Sequence, residues 1–130
     1  MDNIKDLLNE ANECLNCKNP LCVKGCPIKT NIPEFIKKIK ENDLESAYEI
    51  LQENNIMSDI CSNVCPYEEY CSGHCVKGIK ANPVKISKLE KQVNLWAREN
   101  NVKYVNKIEK KNSIKIAIIG SGPAGIECRS

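Results

Sequence analysis

Hydrophobic residues recur at helical spacing in four stretches of the chain. The first pattern predicts an amphipathic helix from about Asn3 into the first cysteines. Two further patterns predict an αα-hairpin, in which Pro33 suits the first turn of one helix and Asp43 can cap the other. A fourth helix should follow Pro83 and pack over the cysteine-bearing segments. The apolar stripes are Ile4, Leu7, Leu8, Ala11 and Leu15; Phe35, Ile36 and Ile39; Leu44, Ala47, Tyr48, Ile50 and Leu51; and Ile86, Leu89, Val93, Trp96 and Ala97.

Two stretches between these predicted helices lack any regular pattern. Residues 16–31 are interrupted by Pro20, Gly25 and Pro27, which break helices and strands alike. Residues 61–78 form a second irregular stretch. Because both stretches carry cysteines, we expect their backbone to wrap around a bound group.

The pattern changes character near the end of the sequence. Residues 114–119 are almost continuously apolar, which predicts a buried strand, and they run directly into a turn containing Gly120, Gly122 and Gly125. A glycine-rich turn between a strand and a helix is typical of a site for FAD or NAD(P), whose pyrophosphate it lets approach the backbone closely. The acidic residue expected about 20 positions further on would lie beyond Ser130. We therefore expect an N-terminal fragment, or a premature end, of a longer flavoprotein.

Composition narrows the class of protein. The 130 residues suffice for one modest core, and the net charge of +2 arises from interleaved charges that do not form a nucleic-acid footprint. The N-terminus has no apolar signal region, and no stretch reaches the length of a membrane span. We expect a cytoplasmic protein with no membrane or nucleic-acid partner. Nine cysteines, an odd number in a reducing compartment, argue against a disulfide framework.

Eight of the cysteines form two runs. The first run ends in Cys26-Pro27, and the second contains Cys65-Pro66. Thiolates suit zinc or an iron–sulfur cluster, and a structural zinc site usually shows two short-spaced pairs separated by a longer loop. The first run instead resembles the ferredoxin pattern, in which the cysteine before proline binds the other cluster. We therefore expect the runs to exchange ligands, although spacing alone does not say which, and two Cys₄ zinc sites remain the alternative. The runs are Cys14, Cys17, Cys22 and Cys26, and Cys61, Cys65, Cys71 and Cys75.

Two other side chains, His74 and Cys128, are of types that can bind metals. His74, the single histidine, is interpreted as a surface or supporting residue of the site. Cys128 stands apart from both runs and is interpreted as an ordinary thiol.

The order of these parts resembles the N-terminal iron–sulfur domain of the small (β) subunit of NADPH-dependent glutamate synthase. Related domains occur in dihydropyrimidine dehydrogenase and in the large subunit of NADH-dependent ferredoxin:NADP oxidoreductase. The resemblance rests on the two cysteine runs, on residues 82–90 and on residues 116–125. It implies an all-α domain with two 4Fe-4S clusters over 1–105, a linker over 106–113, and the first strand and glycine turn of a truncated Rossmann-like FAD domain over 114–130.

The resemblance also implies the cluster ligands. Glu90 matches a place where family members use a carboxylate or an amide, and Cys61 matches a cysteine that need not be a ligand. The implied ligands are Cys14, Cys17, Cys22 and Cys75 for the first cluster, and Cys26, Cys65, Cys71 and Glu90 for the second.

The implied function is electron transfer between a flavin domain and a partner. The partner would be an oxidoreductase subunit like the glutamate synthase large subunit, or a ferredoxin-type acceptor. FAD and NAD(P)H would be bound only by a full-length protein, so we expect this chain to carry electrons without oxidising NADPH. A zinc-stabilised helical interaction module and a nonfunctional truncation product are the alternatives.

Overall fold

The computed structural model describes residues 4–105, 110 and 112–129, and the elements in this part of the chain are all helical. This agrees with the all-α prediction for the cysteine-bearing domain. The α-helices are α1 (Ile4–Asn12), α2 (Leu21–Gly25), α3 (Ile32–Lys40), α4 (Leu44–Asn54), α5 (Ser58–Val64), α6 (Ile86–Glu99) and α7 (Pro123–Arg129), and two short 3₁₀ helices span Ser72–His74 and Val76–Ile79.

The predicted hairpin is formed by α3 and α4, which pack on each other and, through α4, on α6. Phe35 and Ile36 of α3, Leu51 of α4, and Leu89 and Val93 of α6 are all at most 1% exposed. Burying a side chain of this size contributes about 1.5–3 kcal/mol, so these three helices carry most of the apolar core. The prediction that the fourth helix covers the cysteine segments is confirmed, because residues of α6 line the cavity described below.

The start of α4 has the cap that the sequence predicts. Asp43 accepts a hydrogen bond on Oδ1 from the backbone N–H of Ser46, at 3.1 Å. This bond lowers the pKa of the Asp43 carboxyl below its usual range. The preceding Asn42 has a φ of +60°, a left-handed conformation that asparagine tolerates and that turns the chain from α3 into α4.

The helix α2 and the 3₁₀ helix Ser72–His74 fall within stretches that the sequence predicts to be irregular, and α5 and the 3₁₀ helix Val76–Ile79 overlap the second of these stretches. The helix α2 has five residues and α5 has seven, fewer than two full turns each. A periodic hydrophobic stripe needs a longer window to be recognised, so nothing in the pattern marks them.

The strand predicted over 114–119 is not present as a strand in the structure. Ile114, Ile116 and Ile119 are 70, 82 and 100% exposed, and the described residues contain no neighbouring strand to pair with them. A strand is stabilised by its ladder of partners, so an extended apolar segment without one stays irregular. Most of the linker predicted over 106–113 lies outside the described residues. Within the described ranges, no helix combines the length and apolarity required to cross a bilayer.

Candidate metal centres

The first cavity is lined by three cysteines of the first run and one of the second. They are Cys14, Cys17, Cys22 and Cys75. Cys14 lies two residues after the end of α1, and its carbonyl accepts a hydrogen bond from Lys40 Nζ at 2.7 Å, which ties this turn to the end of α3. Asn16, at a φ of +52°, reverses the chain so that Cys17 faces the same space.

The electrostatics of Cys22 show how closely these thiols approach one another. Burial raises the pKa of the Cys22 thiol to about 11, and the nearby Cys14, Cys75 and Cys17 raise it further, against a lowering hydrogen bond from the backbone N–H of Val23. A cluster of thiols that suppress one another's ionisation is a site that a cationic metal centre would stabilise, because the metal favours the thiolate.

The second cavity contains four cysteines and one carboxylate. Cys26, Cys61, Cys65, Cys71 and Glu90 all line it, with Tyr67 and Tyr70 among the other walls. Cys65 directly follows α5, and its backbone N–H donates to the carbonyl of Cys61 at 2.9 Å.

Burial is again the main influence on the groups of the second cavity. It raises the pKa of Cys71 to about 11, and Cys26 and Cys65 raise it further, against lowering hydrogen bonds with Ser72. The pKa values of Cys65 and Glu90 are raised for the same reason. Glu90 also receives a hydrogen bond from the Ser58 hydroxyl, which partly offsets the rise.

The structure therefore brings the predicted ligands together in two sets. Cys75 of the second run lies with three cysteines of the first run, and Cys26 of the first run lies with the second. This is the crossing that the ferredoxin-like spacing predicts.

The two cavities share a wall. Ile32, at the start of α3, and Ile86, at the start of α6, line both of them and are 2% and 3% exposed. Groups bound in the two cavities would be neighbours separated by these two side chains.

The remaining candidate residues have distinct environments. Cys61 lines the second cavity and accepts a hydrogen bond on Sγ from Asn55 Nδ2, at 3.1 Å. His74 lies with its Nδ1 2.5 Å from the carbonyl of Tyr70. Cys128 is exposed near the end of α7 and lies far along the sequence from both cysteine runs. In the part of the chain that the structure describes, no three His, Cys, Asp or Glu side chains converge on one point in the manner of single-ion ligands.

The donor chemistry fits an iron–sulfur cluster. Thiolates are the ligands of 4Fe-4S clusters, and each cavity offers four cysteines. Comparison with known proteins decides the family, because residues 2–102 match the family described as dihydropyrimidine dehydrogenase domain II, 4Fe-4S cluster. This chain belongs to that family.

Two relatives of this chain are named as a chain or subunit of larger oxidoreductases. This chain is 34% identical over 119 residues to the glutamate synthase [NADPH] small chain of Escherichia coli, covering 92% of this chain and 25% of the relative. It is 32% identical over 120 residues to the NAD-dependent dihydropyrimidine dehydrogenase subunit PreT of E. coli, covering 92% of this chain and 29% of the relative. The chain thus spans about a quarter of the length of these relatives. The resemblance inferred from the sequence is confirmed, and the chain contains a 4Fe-4S electron-transfer domain.

The predicted glycine-rich turn lies after residues 2–102, which match the family. Its backbone has two features that favour glycine. Gly120 has a φ of +116°, which side-chain-bearing residues rarely adopt. A Cβ at Gly125 would lie 2.7 Å from the carbonyl oxygen of Gly120, so only glycine lets α7 pack this closely against the turn. Gly120 and Gly125 are thus constrained to be glycine by the local backbone, whereas a Cβ at Gly122 would meet nothing within 4 Å. Binding of a flavin by Gly120, Gly122 and Gly125 remains a prediction.

Several residues of the family's site were missed by sequence reasoning. Ile86 is predicted only as part of a helix face and Ile32 has no predicted role, because their place between two cavities depends on how α3 and α6 pack. Ser58 and Asn94, which lie behind Glu90, carry no motif at all. Only the three-dimensional packing of α5 against α6 reveals them.

Proposed function

We propose that this domain relays electrons through two 4Fe-4S clusters between an FAD domain and an oxidoreductase partner. The observation that carries the proposal is the pair of adjacent cavities, each lined by four cysteines and separated by Ile32 and Ile86. Two redox centres on either side of so thin an apolar wall could exchange electrons directly, while the wall excludes water from the space between them.

The ligand assignment follows the membership of each cavity. The first cluster would be held by Cys14, Cys17, Cys22 and Cys75, which all line the first cavity. The second would be held by Cys26, Cys65, Cys71 and Glu90, which line the second. A bound 4Fe-4S cluster supplies a one-electron carrier whose potential depends on its ligands and on solvent exposure.

Glu90 and Cys61 compete for the last position in the second cavity. The Cys61 sulfur already accepts a hydrogen bond from Asn55, and its thiol sits at the side of α5. Glu90 is a partly buried carboxylate whose pKa is raised by burial, and no cation among the described residues lowers that pKa. Removing a carboxylate from water without a cation beside it is costly, so binding iron would stabilise the charged form of Glu90.

Two of the proposed cysteine ligands must lose a proton before they can bind iron. The thiols of Cys22 and Cys71 are protonated at neutral pH in the free protein, since burial raises their pKa values to about 11. Each must lose its proton when a cluster binds, so loading of the domain releases protons.

We further propose that residues 114–129 begin an FAD domain in a longer protein that also binds NAD(P)H. The left-handed Gly120 and the close approach of Gly125 support this, together with relatives about four times as long that are named for NADPH or NAD. The partner would be a subunit like the glutamate synthase large subunit, or a ferredoxin-type acceptor. A reducing cytoplasm would keep the seven proposed cysteine ligands as free thiols available to iron.

Stepwise reduction of the anaerobically reconstituted protein, followed by electron paramagnetic resonance, tests the relay. We expect two distinguishable signals that interact magnetically when both clusters are reduced, because Ile32 and Ile86 line both cavities, which are therefore adjacent. A single signal, or two signals without interaction, would contradict the proposal.

A further inference from the structure

A continuous chain of buried polar side chains ends at Glu90. The Ser58 hydroxyl donates to Glu90 Oε1 at 2.6 Å, and Asn94 Nδ2 donates to the Ser58 oxygen at 2.9 Å. Behind Asn94, its Oδ1 accepts from Gln52 Nε2 at 3.4 Å. Ser58, Asn94 and Gln52 are 1, 4 and 7% exposed, so water does not compete with these bonds.

The hydrogen bonds among these side chains all run in one direction, from Gln52 toward Glu90. Asn94 accepts from Gln52 on its oxygen, and therefore presents its NH₂ group to Ser58 and also to the carbonyl of Glu90, at 3.0 Å. That second bond spans one turn of α6 and fixes the side chain of Asn94 against its own helix. The Ser58 oxygen accepts from Asn94, and because an ionised carboxylate only accepts hydrogen bonds, Ser58 donates its proton to Glu90.

This network of hydrogen bonds also connects three helices. Gln52 belongs to α4, Ser58 to α5, and both Asn94 and Glu90 to α6. A carboxylate on a flexible side chain that faces a cavity would otherwise sample several rotamers. A hydrogen bond to one of its two oxygens, from a donor itself held by two further helices, restricts the carboxylate to one orientation and leaves the other oxygen outside this bond.

From this geometry we infer that Ser58 is a positioning residue, which together with Asn94 and Gln52 orients the Glu90 carboxylate toward the second cavity so that it can bind iron there. The inference rests on the proposed role of Glu90 as a ligand. Outer hydrogen-bond partners of metal ligands typically change metal affinity by about 10–100-fold when they are removed.

The test compares Ser58→Ala with Ser62→Ala in the cluster-loaded chain. Ser62 is a matched control, because it is a buried serine of the same helix whose hydroxyl bonds to the carbonyl of Asp59 and not to Glu90. We expect Ser58→Ala to change the resonance signal and the midpoint potential of one cluster only, and to speed the loss of iron from that cluster to a chelator by roughly 10-fold. Ser62→Ala should leave both signals as they are.

Two further comparisons make the result specific to the hydroxyl and to Glu90. Ser58→Thr keeps a hydroxyl, and Ser58→Val has the shape of that threonine without the hydroxyl. The threonine variant should therefore give the resonance signal of the unmodified protein, and the valine variant should not. In a Glu90→Ala background, Ser58→Ala should add nothing, since the carboxylate that it orients is gone.

Each remaining outcome has a meaning. If Glu90→Ala changes one signal and Ser58→Ala changes none, the positioning role is overturned while the two-cluster proposal stands. Loss of both clusters in Ser58→Ala would show a general structural role and would equally overturn it. If the unmodified chain forms no two-cluster spectrum, it is the proposed function that fails.

Discussion

A Cβ atom at position 25 would lie 2.6 Å from Nδ1 of His74 and 2.8 Å from the carbonyl oxygen of Tyr70. Gly25 ends α2, which carries Cys22 and precedes Cys26, whereas His74 precedes Cys75. The missing side chain at Gly25 is thus what lets the two cysteine runs come together. Exchange of cysteines between the two cavities depends on this contact.

Gly25→Ala should therefore weaken both sites at once. The added methyl group forces α2 away from the Ser72–His74 turn, and we expect a loss of about 1–3 kcal/mol in the free energy of unfolding. Iron retention should fall in both clusters, as measured by iron analysis after gel filtration. Adding His74→Ala should recover only part of the loss, because the clash with the Tyr70 backbone remains. Gly122→Ala, where a Cβ meets nothing within 4 Å, should leave both readouts unchanged.

Replacing single cysteines should separate the two sites. Cys75→Ser is expected to abolish the first cluster and remove about half of the iron, because Cys75 lies with Cys14, Cys17 and Cys22. Cys61→Ser should leave both resonance signals in place, as should Cys128→Ser at an exposed position. Loss of the second signal in Cys61→Ser would make Cys61 a ligand, and Glu90 would then be a solvated helix residue that does not bind iron.

The cap of α4 predicts a dependence of stability on pH. The folded-state pKa of Asp43 is lowered by its bond to the Ser46 N–H, so its contribution is present above the ordinary carboxyl pKa of about 4 and is lost as pH falls through the lowered value. Asp43→Ala should cost about 1 kcal/mol at neutral pH, measured by denaturant unfolding.

Asp43→Asn is the matched variant for the charge. It can still cap the helix, so its stability at neutral pH should be close to that of the unmodified protein. As pH falls through the lowered pKa, Asp43 loses its contribution and Asn does not, so the unmodified protein should lose stability relative to Asp43→Asn on acidification. Taking the difference between the two proteins cancels the acid lability of the clusters. A difference that stays constant with pH would show that the carboxyl does not titrate through this bond.

The wall between the cavities can be tested through Ile86. Ile86→Ala should cost about 2–5 kcal/mol, because the side chain is 3% exposed, and should speed the loss of iron from both clusters. Ile79→Ala, at a position that is 76% exposed, serves as the control and should have no effect. Faster loss from one cluster alone would contradict a shared wall.

The sequence predicts the long helices well because their apolar stripes span several turns. Phe35 and Ile39 of α3 and Leu89 and Val93 of α6 face the core as the periodicity indicates. The Asp43 cap is equally readable, since a short acidic side chain before an apolar run has few other uses. The cysteine spacing also predicts that the two runs exchange residues, although it does not say which.

The rest depends on packing that a linear pattern does not contain. The helices α2 and α5 are too short to show a period, and the Ser58–Glu90 bond joins residues on different helices. The segment 114–119 has the pattern of a buried strand, yet it has no partner strand among the described residues. Its apolar composition predicts a strand in the interior of a sheet, and such a strand forms only when neighbouring strands pair with it.

Iron, acid-labile sulfide and zinc analysis of the anaerobically reconstituted protein tests the central claim most directly. Two 4Fe-4S clusters in the two cavities predict about eight iron and about eight sulfide per chain, with no stoichiometric zinc. About two zinc per chain without sulfide would contradict the claim and would instead indicate a zinc-stabilised helical module.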